Sequence, residues 1–266
     1  MTENDAERGP HHVQSLERGL AVITAFDADH PRLTLSDVAR RTGLTRAAAR
    51  RFLLTLSDLG YVRNDGKLFA LTARVLELGY SYLSSMTLPE VAQPHLEQLS
   101  GEVNESSSVS VLDGSDIVYI ARVAVSRIMT VSINIGTRFP AYATSMGHVL
   151  LAGLARPALD DYLAATALRG FTSHTTIDAD TLRAEVDTVR EQGYSIVDQE
   201  LEEGLRSLAV PIRDATGAVA AAVNISTQAT RHTVESIRTG LLPPLRTAAL
   251  RIERDLVAAK SVTRLG

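Results

Sequence analysis

The chain has no cysteine and no tryptophan, and aromatic residues make up only 5% of its 266 residues. Without cysteine there is no disulfide, thiolate zinc site, iron–sulfur cluster or thiol nucleophile. Lysine is almost missing too: Lys67 and Lys260 stand alone among 27 basic residues, the rest being arginine. No apolar run is long enough for a membrane. Phe139–Ala155 lacks acidic and basic residues, but Pro140, Ser145, Gly147 and His148 interrupt it. It also falls short of the ~18–20 apolar residues a span needs. The opening MTENDAERGPHH has no apolar stretch of the kind a signal peptide requires. A cytoplasmic protein with no membrane contact is the expectation. With 45% hydrophobic and 22% charged residues, the chain has the makings of a sizeable core, and its length suggests two domains.

The chain is mildly acidic, at −4, but the charge is unevenly spread. Between His30 and Arg74 nine basic residues face only Asp37, Asp58 and Asp65, leaving this segment positive and the remainder strongly negative. A basic head on an acidic body suits local nucleic-acid binding; charge alone is equally consistent with a solvated basic face.

Residues 1–12 read as a disordered tail. Ser15 can cap a helix Leu16–Phe26 with Leu16, Leu20 and Ile23 at helical spacing. Leu35–Thr42 reads as a second helix, with Thr34 or Ser36 at its start and Gly43 past its end. Thr45 then caps a third, Thr45–Leu59, ended by Gly60. Tyr61–Arg63 and Leu68–Leu71 flank Asp65-Gly66, a hairpin-turn signal. Three helices and a hairpin in about 60 residues (13–71) describe a winged helix-turn-helix. On the third helix, Ala48, Phe52, Leu56 and Leu59 form the expected inner face. Arg46, Ala47, Arg50 and Ser57 lie opposite, with Arg51 at the flank, and the capping Thr45 is a further DNA-contact candidate. Arginine reads guanine in bidentate fashion and alanine permits close approach to a base edge. Arg63 and Lys67 would form a wing tip against phosphate. The alternative is a basic hairpin used for protein contacts.

A helix over Thr72–Leu83, within a linker 72–87, leads into a second domain, 88–260. Its expected elements are a helix Pro89–Val103 and strands Ser106–Leu112, Asp116–Ala124 and Arg127–Ile133. Helices Thr144–Leu154, Asp160–Thr166 and Asp178–Gln192 follow. Strands Tyr194–Val197, Leu208–Arg213 and Ala218–Ser226 precede a largely helical His232–Ala259, kinked or broken at Pro243-Pro244. Hairpin-joined strands with helices between them indicate an α+β fold with an antiparallel sheet.

Catalytic motifs are missing. There is no H-E-x-x-H, G-x-S-x-G or G-x-G-x-x-G, and Gly60…Gly66-Lys67-Leu68 lacks the spacing and the Ser/Thr of a P-loop. His95, His148, His174 and His232 have no partner at metal-ligand spacing. No catalytic residue, metal or cofactor is expected. The acidic run Asp198–Glu203 could hold a general base, but its Glu residues read more simply as a solvated turn. Asn224 and Ser226, two apart in an apolar strand, share one face with Ala222, while Val223 and Ile225 take the other. With Ser207 and Asp198 nearby, that face is either a polar pocket wall or the solvated side of the sheet.

Several of these segments also carry a resemblance. Val13–Leu20, Leu35–Leu59, Pro140–Ala152, Glu203–Ile212 and Ala221–Ser226 resemble, in order, the IclR family of bacterial regulators. Ile135–Gly147 is similar to the branch governing protocatechuate, para-hydroxybenzoate and β-ketoadipate catabolism. The resemblance implies an effector-responsive transcription regulator with a GAF/PAS-like second domain. It implies a homodimer, or a dimer of dimers, joined mainly through the N-terminal domains and bound to a pseudo-palindromic double-stranded operator. Carried over, the pocket for a small organic acid falls on Ser145, Met146, Asp198, Ser207, Asn224 and Ser226, and Arg138 becomes a second carboxylate candidate. Met146, Ser207 and Asn224 depart from the usual residues, and each departure counts against a ligand of glyoxylate or pyruvate size. Rival functions are an enzyme acting on a small acid and an architectural DNA-binding protein without a ligand.

Overall fold

The computed structural model describes residues 12–27, 29–78, 87–125 and 133–263. The chain divides into two compact units, Met1–Ser84 and Ser85–Gly266.

The first unit contains α1 (Gln14–Thr24), α2 (Leu35–Thr42) and α3 (Arg46–Asp58), the last two joined by a short turn. Thr34 starts α2 through a reciprocal cap: its hydroxyl accepts the Asp37 N–H, and the Asp37 carboxylate accepts the Thr34 N–H at 3.2 Å. Gly43, at φ 67°, ends it in a left-handed turn open chiefly to glycine. Thr45 caps α3 by accepting the Ala48 N–H. The hairpin pairs β2 (Val62–Asn64) with β3 (Leu68–Leu71) around Asp65-Gly66. A short strand not anticipated from sequence, β1 (Leu33–Thr34), pairs with the other side of β3.

Two helices are rotated from their expected faces. Ser15 lies inside α1 and Val13 holds the cap position without a side-chain bond. Leu16 and Leu20 are 62% and 50% exposed, while Val22, Ala25 and Phe26 enter the core. The helix carries two apolar stripes, and the core takes the one that includes Gly19, beside the Phe52 ring. On α3 the buried line is Ala49, Leu53 and Leu56; Ala48 and Phe52 are half-buried and Leu59 is exposed. Ser57, expected outside, is partly buried with an unpartnered hydroxyl. After β3, Thr72 caps a tight turn Ala73–Val75 and helix continues through residue 78. The rest of the expected linker helix, the tail up to residue 11 and nearly all of the expected strand Arg127–Ile133 lie outside the described residues.

The second unit is built on one antiparallel sheet. Two three-stranded meanders meet edge to edge. β4 (Ser106–Asp113), β5 (Asp116–Val123) and β6 (Arg138–Pro140) form one; β7 (Ser195–Asp198), β8 (Leu205–Arg213) and β9 (Val219–Gln228) form the other. Pairing of β4 with β9 gives the order β6-β5-β4-β9-β8-β7. Both faces are covered, which overturns the solvated-face reading. Val223 and Ile225 pack beneath α4 (Thr87–Val103) and the C-terminal helix. Ala222 and Ala209 pack with α5 (Ser145–Ala152) and α7 (Ala179–Gln192), which flank α6 (Arg156–Ala165) in sequence. The chain enters its C-terminal helix, α8 (Leu242–Thr263), through a π-helical stretch, Ile237–Leu241. Pro243 and Pro244 cannot donate backbone bonds to the preceding turn, and the wider turn accommodates them without a break.

Gly147 holds α5 against the turn before it. A Cβ there would lie 1.9 Å from the Ala141 carbonyl oxygen. Gly101, in α4, has open space around the same added atom. Gly147→Ala should therefore lower the thermal midpoint by several degrees or prevent folding. Gly101→Ala should leave it unchanged or raise it, alanine being better in a helix by about 1 kcal/mol. Paired melting curves check both.

Candidate functional site

The first unit sorts its basic residues into two sets. Arg32, Arg40, Arg41 and Arg74 are held by Asp65, Asp37, Asp27 and Glu77. Arg46, Arg50, Arg51, Arg63 and Lys67 have no ion pair among the described residues and are exposed. Arg46, Ala47, Arg50 and Arg51 occupy the outer side of α3 behind its Thr45 cap, and Arg63 and Lys67 flank the hairpin tip. Local pairing thus occupies four of the cations elsewhere on the unit, though not the exposed Arg18 of α1, and leaves those on the recognition-type helix and the wing available.

In the second unit a narrow cavity lies between the sheet and the start of α5. Asn224 and Ser226 of β9, Ser207 of β8 and Tyr119 of β5 form its floor, and Ser145 and Met146 its opposite wall. Val197, Glu200, Leu201 and Leu205 close one end. The void at its centre is about 20 Å³, room for about one water molecule. Five of the six residues expected around a small acid come together here.

Asp198 does not. Regular strand alternation would place Asp198 and Glu200 on the same face, but Gln199 between them has φ 64° and turns the chain. Asp198 faces Arg206, which donates to its two oxygens at 2.6 and 3.0 Å, and this pairing holds its carboxyl below the usual range. Glu200 reaches the cavity in its stead, a role the sequence reading missed by treating the acidic run as a solvated turn. Burial pushes the Glu200 carboxyl up to about 7, opposed by a bond from the Thr176 N–H and reinforced by the charges of Glu185 and Asp198. Arg138 is also elsewhere: it clamps the β4–β5 turn through Asp113 and Asp116, and its guanidinium is held above its ordinary value by the Asp113 bond.

The cavity's polar groups are incompletely satisfied. Asn224 is 2% exposed; its amide nitrogen donates to Ser226 Oγ at 3.1 Å, but its Oδ1 has no partner. The Ser145 hydroxyl, 1% exposed, has none either. Ser145 opens α5, where the helix dipole favours negative charge, and the Thr144 hydroxyl caps the helix by accepting the Gly147 N–H. Met146 is fully buried and its sulfur accepts the Ser110 hydroxyl. Burial pushes the Tyr119 phenol up to about 12 and keeps it neutral. His148, on α5, donates to the Tyr142 carbonyl, and burial holds it below its ordinary value, as a neutral strut rather than a charged group.

The family model for the IclR helix-turn-helix domain matches residues 15–66, and that for the bacterial transcriptional regulator IclR C-terminal domain matches residues 80–254. The chain belongs to the IclR family. It is a DNA-binding transcription regulator and not an enzyme. A Pca regulon regulatory protein of Pseudomonas putida is 46% identical over 248 residues, 93% of this chain and 84% of that one. The p-hydroxybenzoate hydroxylase transcriptional activator of Acinetobacter baylyi is 38% identical over 94% of each chain. Among solved structures, an IclR homologue from Microbacterium hydrocarbonoxydans complexed with 4-hydroxybenzoate superposes with a TM-score of 0.82. It is 27% identical, over 92% of this chain and 100% of that one. No helix among the described residues is long and apolar enough to cross a membrane.

The raised Glu200 carboxyl sets a pH dependence. Folded, the group keeps its proton up to about pH 7; unfolded, it loses it near 4.5. The penalty for burying its charge is absent at low pH and complete above pH 7. Glu200→Gln should therefore match wild type near pH 4 and be more stable near pH 8, on the order of 1–2 kcal/mol after allowance for partial exposure. Denaturant titrations at the two pH values read the difference; equal stability at pH 8 would place the carboxylate in water.

Proposed function

We propose that the protein controls aromatic-acid catabolism, sensing a small hydroxylated aromatic or keto acid in the second unit. The supporting observation is the pair of unpartnered buried polar atoms, Ser145 Oγ and Asn224 Oδ1, facing one cavity. Leaving a buried polar group unsatisfied costs about 1–3 kcal/mol, and an incoming ligand relieves that cost. Asn224 Oδ1 suits a ligand hydroxyl, Ser145 at the helix start suits an anionic oxygen, and Ser207 and Ser226 adapt to either. The names and bound ligand of the related proteins point to the same chemical class. With only about 20 Å³ free, the ligand enters by displacing the wall. Met146 is the pliable part of that wall, a flexible thioether in place of a rigid side chain. Acting on DNA, the protein works in the cytoplasm.

The DNA reading assigns base contacts to Arg46, Ala47, Arg50 and Arg51 behind Thr45, and phosphate contacts to Arg63 and Lys67. A single head presents one such helix, too little surface for tight specific binding. A two-fold dimer on a pseudo-palindromic site supplies the second. Its proposed contact is the apolar surface left on the first unit, where Val13, Leu16, Leu20, Leu76 and Leu78 are exposed. A dimer of dimers is a further step of the same kind.

Two measurements test the proposal. In mobility-shift titrations Arg50→Ala should weaken specific binding by ~1–3 kcal/mol, while Arg63→Ala should weaken all sequences alike and flatten the salt dependence. An unchanged footprint and affinity for Arg50→Ala overturns the helix assignment. In calorimetry with protocatechuate, para-hydroxybenzoate and β-ketoadipate, Ser226→Ala should weaken the ligand that binds wild type by ~1.5–3 kcal/mol, leaving DNA binding without ligand unchanged. Equal binding by both proteins would put the pocket elsewhere.

A further inference from the structure

The sheet face beneath the cavity continues past it, and the cation there is not explained by the fold. Arg122 of β5 pairs across the sheet with Ser108 of β4, which pairs with Asn224 of β9. Paired residues share a face, so Arg122, Ser108 and Asn224 form one row that starts at the cavity floor with Asn224 and runs outward past it. The guanidinium spans the first step of that row, donating to Ser108 Oγ at 3.2 Å.

A β-bulge puts it there. Pairing of β4 with β5 shifts between Val109 and Ser110, so Ser110 faces Tyr119 while Val109 faces Ala121. Ile120 is the extra residue. In an unbroken strand Tyr119 and Arg122, three apart, would point to opposite faces. With the bulge, Ile120 and Ala121 both pack into the core under α4, and Arg122 returns to the face of Ile117 and Tyr119. Bulges re-aim side chains in this way.

The arginine placed there is half-buried and has no counter-ion among the described residues. Among the described residues its one hydrogen-bond partner is Ser108 Oγ, and no carboxylate lies in ion-pair range. Its electrostatic neighbour is the neutral Tyr119 phenol, and burial pulls the guanidinium below its ordinary value. Of the other partly buried arginines of this unit, Arg251 donates to Gln98 alone, and Arg183, Arg190 and Arg206 are held by carboxylates. Arg206 holds Asp198 and two backbone carbonyls, and Arg190 holds Asp187 and two others. A partly desolvated guanidinium with a single neutral partner has most of its donors free for an anion.

We infer that Arg122 is the charged anchor for the effector's carboxylate, moving from Ser108 onto the ligand and setting the preference of the cavity for acids over their uncharged analogues. This rests on the cavity being the effector site. Ser145 and Asn224 then bind the other polar groups of the ligand. Burial pushes the Glu200 carboxyl at the far end up to about 7, so its repulsive charge falls away as the pH drops below that.

The test compares an acid with its neutral amide, which keeps the shape and loses the charge. Calorimetry at pH 6.5 uses para-hydroxybenzoate and para-hydroxybenzamide on wild type, Arg122→Met, Arg122→Lys and Ser226→Ala. Wild type should prefer the acid strongly. Arg122→Met should lose roughly thirtyfold or more for the acid and little for the amide, so that the preference collapses. Arg122→Lys should keep part of the preference, because it keeps the charge without the fork. Ser226→Ala should weaken acid and amide together. If Arg122→Met weakens both equally, or keeps the wild-type preference, the anchor is refuted while the cavity reading stands. If neither compound binds wild type and the other acids named above do not either, the cavity reading falls and this inference with it. Should Arg122→Met fail to fold, the Arg122→Lys ratio decides: a preference equal to wild type's refutes bidentate anchoring.

Discussion

The pairing of β4 with β9 is the constraint on which the second unit depends. Each belongs to a separate meander, and only their shared edge makes one sheet from two. The register sets Ser106 opposite Ser226, Ser108 opposite Asn224 and Ser110 opposite Ala222. A slip of one residue would exchange every polar group on the cavity floor for a core residue such as Val223 or Ile225. The large apolar side chains on the α4 side prevent that slip, because Val109, Val223 and Ile225 are fully buried there. The hydrophobic face therefore holds the polar face in register.

The polar face carries a matching cost. Serine, asparagine and arginine are poor core material, and unsatisfied atoms remain at Ser145 and Asn224. Such groups persist in a stable protein only where the surroundings over-determine them. Here the support comes from α5, which Gly147 lets settle on the Ala141 backbone and which Thr144 and His148 fix at its start. A small residue, a cap and a neutral histidine deliver Ser145 and Met146 to the sheet.

Much of this was legible in the sequence because local chemistry dictated it. Thr34, Gly43, Thr45 and Asp65-Gly66 mark their boundaries through caps and turns that need no tertiary partner. The shared face of Asn224 and Ser226 follows from strand period alone. What was not legible required knowing what lies across the chain. The two apolar stripes of α1 look alike until Phe52 selects one. Asp198 and Glu200 exchange places because Gln199 adopts a left-handed conformation that no residue type announces. The role of Arg122 was hidden for the same reason, since its face depends on how β4 and β5 pair. The β1 and β6 strands, two and three residues long, are too short for any alternation to register.

The bulge in β5 also bears on how binding sites of this build can diversify. A substitution changes what a side chain is; whether the strand bulges at Ile120 decides where the following side chains point. Removing Ile120 would restore plain alternation and leave Tyr119 and Arg122, then two apart, on the same face, while strand pairing on either side continued. The ionic character of this face thus depends on how the strand pairs at one point as much as on residue identity. Deletion of the bulged residue would thus keep the charge on this face, whereas the same residues paired without the bulge would turn it toward α4.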